Sequence, residues 1–422
     1  MIFYTLREKI LFYNIPIILF SLIPFFLITG PFLSDLAISL ISLLFLIYCF
    51  KRKNFFFFKK KYFYFFLIFW IYLIFNSLIN NFNLDSLKIS LFYFRFGVFV
   101  IAVTALLDFD DNFIKYFFYC ILICFLSLII DGFIQYFGGE NILGTKYYDR
   151  VSSFFGDEEI LGSYLSRIWP LFFGFSILIL KQKSIIFYLF ILIFILSEVL
   201  IFLSGDRSAF FYINLSAIFV ILFSKNLLKL RLITLLSSMF LLVIISFFNP
   251  AAKERVIDQT LYQMNLIDNN KIDQNTGIYI FTKQHTHHYI TAYKMFLDNK
   301  ILGVGVKNFR NFCDNKEYKE SELSCSTHPH NTYIQILSEI GIIGILFLLI
   351  TLVFFFNKIF KHLTFKINGK NYFNDFEICV LSGIIIYLWP FIPTGNVFNN
   401  WVNIMLILNL PFLIWRRKSN KT

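Results

Sequence analysis

Between His328 and Gly344 the chain passes from a histidine-bearing loop end straight into apolar residues. His330 exchanges a proton near neutrality and is a natural general base. Asn331 beside it is a strong N-cap, so a helix is expected to begin there with its free N–H groups and positive dipole end open to phosphate. Gln335 and Glu339 follow Asn331 at four-residue steps and share its helix face. Ionisable groups at the mouth of a membrane helix are costly and usually mark a site. The plainer reading is a capped helix with Glu339 in an interhelical bond. Gly341 and Gly344 are expected to admit a close helix neighbour.

A second chemical feature is the short turn from Ser204 to Ser208. The Arg207 guanidinium is permanently charged and suits bidentate binding of a diphosphate, although interfacial arginines also snorkel to the membrane surface. Arg95 and Arg167 lie deeper in apolar runs, where an arginine must face a polar cavity or partner. Arg150, Asp157, Glu158 and Glu159 crowd the loop above Arg167, as ion pairs or as part of an anion site, and Asp131 has the same two readings. The cluster from His285 to His288 has no cysteine or carboxylate at a supporting spacing, which argues against a metal. His288 is instead expected to project toward a substrate, with Lys307 and Arg310 adding positive charge to the same loop. No phosphate-binding P-loop, dinucleotide glycine fingerprint or Gly-x-Ser-x-Gly elbow is present.

These residues need a scaffold, and composition says which kind. Of 422 residues 58% are hydrophobic and 15% charged, far below the roughly 25% charged of soluble domains. The net charge of +12 does not signal nucleic acid, because the basic residues form short clusters between apolar runs, as the positive-inside rule requires. These clusters include Lys51 to Lys53, Lys181 with Lys183, and Arg416 to Lys418. Runs long enough to span a bilayer lie near 11–30, 33–50, 62–80, 88–107, 113–137, 160–180, 184–204, 208–224, 231–249, 331–356, 376–393 and 397–415. The expected fold is an all-α, polytopic membrane bundle of about twelve helices. Both termini are placed in the cytoplasm, with the turns bearing Arg207 and His330 outside, and no cleavable signal peptide is read. The chain divides into 1–249 (nine helices with short loops), a large outer loop over 250–330, and 331–422 (three helices and a tail). That loop is too long for a connector. Tyr289, Tyr293, Phe296 and Leu297 recur at helical spacing, predicting an amphipathic helix, and Gly303-Val-Gly305 predicts a tight turn. Cys313 and Cys325 lie in the same loop, where an oxidising compartment would allow a disulfide; two free thiols are the alternative.

The chain resembles the O-antigen ligase and polymerase superfamily of bacterial envelope enzymes. Ligases of that group carry His-Asn, nine residues, then Gly-x-x-Gly at the start of a late span, which His330-Asn331 and Gly341 to Gly344 match. Ser204 to Ala209 is similar to the group's arginine motif, and Asn299 to Phe309 to its loop segment. The resemblance implies a metal-independent, inverting glycosyltransferase of the inner membrane, with a periplasmic loop and no cofactor. Its donor is a glycan on undecaprenyl diphosphate, and its acceptor is lipid A-core or another lipid-linked glycan. It also implies His330 as base and Arg207 as diphosphate ligand, with His328, Asn331, His288, Arg310, Arg95, Arg167 and Glu339 around the substrates. A departure lies at Gln284 to Tyr289, where ligases carry an arginine before the loop helix and this chain has histidines, which leaves ligase and polymerase both open. A membrane transporter is a more remote reading, as paired Gly/Pro-broken helices in matching halves are lacking.

Overall fold

The computed structural model describes residues 5–80, 82–180, 185–225, 228–263 and 282–419. Part of the large loop (264–281) and the Lys181 and Lys183 cluster lie outside them. Among the described residues the regular structure is helical, joined by turns and coil, with one isolated bridge between Glu140 and Lys146. In chain order the principal helices are α1 (Leu6–Thr29), α2 (Pro31–Arg52), α3 (Lys61–Ile79), α4 (Leu84–Phe109), α5 (Ile114–Gly138), α6 (Leu161–Ile179) and α7 (Ile185–Leu203). They continue with α8 (Arg207–Phe223), α9 (Leu228–Phe248), α10 (Lys283–Asp298), α11 (Thr332–Ile367), α12 (Asp375–Leu388) and α13 (Asn400–Trp415).

Among the described residues eight helices are long and apolar enough to cross a membrane: α1 to α6, α9 and α11. The other expected runs coincide with the shorter α7, α8, α12 and α13. The run expected over 376–393 stops as helix at Leu388, because Pro390 and Pro393 exclude the helical conformation from the residues before them. The coil 389–399 that follows is part of the site.

Local sequence sets the helix starts. Pro31 opens α2, where its missing N–H costs nothing. Asp206 caps α8 by accepting from Ala209 N at 3.0 Å, and Asn374 with Glu377 forms a capping box on α12. Helix α6 is the hub: 78% of its apolar window is buried, against 22% for the peripheral α9. It packs on α12, α8 and α7, with Trp169, Phe172 and Phe173 fully buried. Among the described residues, α9 is tied to the bundle by a buried Arg231–Glu198 ion pair of 2.8 Å, with the guanidinium over the Trp169 ring.

Arg95, expected near substrate, instead pairs with Asp35 of α2 at 2.6 Å and locks α4 to α2. It does not line the main cavity. Asp131 is buried and accepts from Ile142 N at 2.9 Å and Ser153 Oγ at 2.6 Å, anchoring the loop after α5.

The large loop carries the expected helix, longer than predicted, but with a different buried face. His288, Thr291, Ala292 and Met295 are inside, whereas Tyr293 and Leu297 are 50% and 44% exposed. The cause is close packing of α10 on the start of α11, which small residues at 291 and 292 permit and large aromatics would block. Ala292, Met295, Val304, Phe309 and Cys313 form a small core of the loop's own. A Cys313–Cys325 disulfide with Cα atoms 5.2 Å apart closes its far side. It is expected to stabilise this segment by about 3 kcal/mol, since it closes a short loop. Cys313→Ser should therefore lower the loop's melting temperature and speed proteolysis near 313–325; unchanged unfolding and cleavage would show that the loop core suffices.

Helix α11 is not the uninterrupted helix that hydropathy suggests. Asn331 caps it as expected, accepting from Tyr333 N at 3.0 Å and Ile334 N at 3.2 Å. At Gly341, however, the backbone turns to φ 65°. The freed polar groups are taken up by the loop: Val304 N donates to Ser338 O (2.8 Å), Gly305 N to Glu339 O (2.8 Å), and Ile342 N to Lys300 O (2.9 Å). Non-helical backbone at membrane depth is tolerated only where protein satisfies it in this way. Gly341 thus serves the approach of loop backbone, since a Cβ there would lie 2.2 Å from Ile301 O. Gly344 meets Ile340 and Ile336 of its own element rather than a neighbouring helix.

Candidate active site

The break in α11 and the coil after α12 together hold the histidine loop. Gln335 and Glu339 are fully buried. Gln335 Nε2 donates to Glu339 Oε2 (2.9 Å) and to Asn396 Oδ1 (3.0 Å), while Val397 N donates to Gln335 Oε1 (3.0 Å). Phe309 N donates to Glu339 Oε1 at 3.1 Å. Asn331 Nδ2 reaches Pro390 O at 2.8 Å. The polar face expected on α11 therefore exists, but Asn331 and Glu339 do not line the cavity; they fix the segments that do.

Above this frame, His330 has a left-handed φ of 56°, held by Thr394 N donating to His330 O at 2.8 Å. His328 Nε2 lies 3.1 Å from Thr394 O. A carbonyl only accepts, so Nε2 carries the proton and Nδ1 accepts from Thr327 Oγ1 at 2.9 Å. The His328 and His330 ring centroids are 4.0 Å apart, and His285 and His288 of α10 approach His330 to 5.3 Å and 5.4 Å. Ser326 Oγ lies 2.9 Å from His330 Nε2.

This cluster borders a cavity of about 2030 Å³. His285, His328 and His330 line it together with Arg150, Arg167, Arg207, Lys253, Arg255, Lys307 and Arg310. Among the described residues, only Glu158 and Asp206 supply acidic side chains to that lining. Arg207 stands half-buried at the start of α8, with Arg255, Asp206 and Arg150 near it. Arg167 is buried, its guanidinium between the rings of Tyr212 (4.8 Å) and Tyr387 (5.5 Å). Arg150 pairs with Glu159, and Arg255 with Asp149 at 2.8 Å. Apolar side chains line it as well, among them Leu27, Ile28, Phe202, Phe210, Met239 and Phe247.

Sequence reasoning missed Arg255, Thr394, Asn396 and Ser326. The first sits in 250–263 and the next two in the short turn expected between the runs 376–393 and 397–415; only their proximity in space marks them. His288 does not reach the cavity but stacks on His330, with 24° between the rings.

Burial lowers the basicity of the histidines. His285 and His330 fall from 6.5 to about 4 and His328 to about 3, first by desolvation and then by each other's charge. His288 is lowered for the same first reason. They are therefore neutral in the folded protein at pH 7. Below pH 6.5 the unfolded chain takes up protons that the folded chain refuses, so stability is lost as pH falls from 6.5 toward 4. Thermal unfolding in detergent should show a melting temperature falling across that window, with a shallower fall for His330→Asn. A melting temperature flat between pH 6.5 and 4.5 would contradict the burial of these rings.

A bundle of apolar helices around a cation-lined cavity, with a histidine loop at its mouth, defines a multi-pass membrane protein. Residues 189–349 of this membrane protein match the family model for O-antigen ligase. That family comprises the glycan ligases and polymerases of surface polysaccharide assembly. The matched segment contains Arg207, α10, Lys307, Arg310 and the histidine loop, and excludes Arg95, Arg150 and Arg167. No curated protein matches the chain.

Proposed function

We propose that this protein moves a glycan from undecaprenyl diphosphate to an acceptor hydroxyl at the outer face of the inner membrane. The observation that carries the reading is that His330 and Arg207 line one cavity that apolar side chains also line. The apolar side chains suit a polyprenyl chain, and Arg207, aided by Arg167 and Arg255, suits the diphosphate. If Nε2 donates to Ser326, the lone pair of His330 resides on Nδ1. In the reaction the acceptor oxygen bonds to the anomeric carbon from the face opposite the diphosphate, and His330 takes its proton. The C–O bond to phosphorus-bound oxygen breaks, and its electron pair leaves on undecaprenyl diphosphate, stabilised by the arginines. Attack from the opposite face inverts the anomeric centre. A diphosphate is already a good leaving group, so the scheme draws on no metal, nucleotide or redox cofactor. The short helices α7, α8, α12 and α13 complete a bundle of about twelve crossings, with both termini cytoplasmic and the loop periplasmic.

Ligase and polymerase differ only in the acceptor, lipid A-core for one and a lipid-linked repeat unit for the other. The absence of arginine from Gln284 to Tyr289 keeps the polymerase as the second reading. Expression in strains lacking either enzyme, followed by lipopolysaccharide gel analysis, separates them. Restored attachment of long chains identifies a ligase, and restored ladder length a polymerase. A protein that restores neither but moves a solute is a transporter, and the proposal fails.

A further inference from the structure

The cavity holds positive charge in two groups. One gathers on the turn before α8: Arg150 Nε donates to Ser204 O at 2.7 Å, and a Cβ at Gly205 would meet Arg255 Cδ at 2.8 Å. The other is Lys307 with Arg310, on the strap that crosses the break in α11. Lys307 is half-buried and Arg310 is exposed.

Lys307 has a left-handed φ of 58°, a conformation that is strained for a non-glycine residue. Its neighbours impose it. Ser86 Oγ donates to Val306 O (2.6 Å), Gly305 N to Glu339 O (2.8 Å) and Phe309 N to Glu339 Oε1 (3.1 Å). Arg310 Nη2 donates to Thr327 O at 3.1 Å, next to His328. Neither cation makes an ion pair with a carboxylate among the described residues. Two carboxylates, Glu339 and Asp85, are near enough for their charge to act on Lys307, and Glu339 is buried beneath the strap with its oxygens taken by backbone N–H groups and Gln335. Two cations held in place without a carboxylate ion pair among the described residues, one of them in a strained conformation, form a site prepared for an external anion.

We propose that Lys307 and Arg310 form a second anion subsite, which holds a phosphate or carboxylate borne by the acceptor glycan. The inference rests on the glycan-transfer reading above. It is assigned to the acceptor because Arg310 is bonded to the loop that carries His330, the group that receives the acceptor's proton. Arg207 and its neighbours lie on a different segment and face the donor diphosphate. The acceptor would then be selected for an acidic group near its reacting hydroxyl.

The test uses the full chain in lipid nanodiscs and four probes: methyl glucoside 6-phosphate, methyl glucuronide, methyl glucoside and undecaprenyl diphosphate. Wild type is expected to bind at least one of the anionic sugars about tenfold more tightly than the neutral one. Phosphate and carboxylate sources are told apart by which of the two shows that preference. The double variant Lys307→Gln with Arg310→Gln should lose the preference while holding undecaprenyl diphosphate as wild type does. Arg207→Ala should do the reverse. Thermal unfolding confirms that each variant is folded. A preference that survives in the double variant overturns the proposal, as does loss of undecaprenyl diphosphate in parallel, which would assign these cations to the donor. Wild type that binds undecaprenyl diphosphate but discriminates no acidic sugar also refutes it, leaving the transfer reading intact. Failure to bind undecaprenyl diphosphate at all would bring down the transfer reading itself.

Discussion

Replacing His330 with alanine is expected to lower glycan transfer by about 10²–10⁴-fold, the usual contribution of a positioned general base. The imidazole is held from several directions: Thr394 fixes its backbone, Ser326 meets Nε2, and the His328 ring lies 4.0 Å away. The loss should fall on turnover, because the proton moves only as the acceptor bond forms. His330→Asn keeps a polar side chain near Ser326 but offers no comparable base, so it should be as inactive as alanine while unfolding closer to wild type. The protein is neutral at this position at pH 7, so the acid limb of the rate profile should lie well below 6.5. Transfer at the wild-type rate by a folded His330→Ala protein would remove the base and leave the rest of the scheme standing.

Removing Arg207 carries the next largest expectation. Arg207→Ala should cost about 10²–10³-fold in transfer, the scale on which a preorganised charge donor acts on a leaving group. Arg207→Lys should recover only part of this, because an ammonium keeps the charge but lacks the planar fork that matches a diphosphate. Arg150 and Arg255, already engaged by Glu159 and Asp149, are poor substitutes. The measurement is rate against donor concentration, with undecaprenyl diphosphate as competitor. If Arg207→Ala leaves both transfer and competition unchanged, the diphosphate is held elsewhere in the cavity.

Much of this site was legible in the sequence for a local reason. The Asn331 cap depends on two backbone N–H groups within three residues, and the structure shows both bonds. The match over residues 189–349 spans the Arg207 turn, His330 with Asn331, and Gly341 to Gly344, all of which can be read in the linear order. Roles that depend on distant partners were not legible. Arg95 read as a buried cation in need of company, and the company is Asp35, 60 positions away. Glu339 read as a polar group facing a site, and its oxygens serve Gln335 and Phe309 N. The loop helix was read from its largest apolar residues, but packing against α11 buried His288, Thr291, Ala292 and Met295 instead.

By itself the sequence determined the class of this protein: long apolar runs between basic clusters, helix caps and a histidine-asparagine junction, each a matter of transfer free energy or bonding within a few residues. The tertiary structure alone decided that α11 breaks at Gly341, that the loop backbone heals the break, and that the coil 389–399 locks His330 in place. It also decided which cations meet in one cavity and which are spent on partners. Ion pairing and backbone satisfaction are settled between residues far apart in the chain, and no local pattern encodes who the partner is.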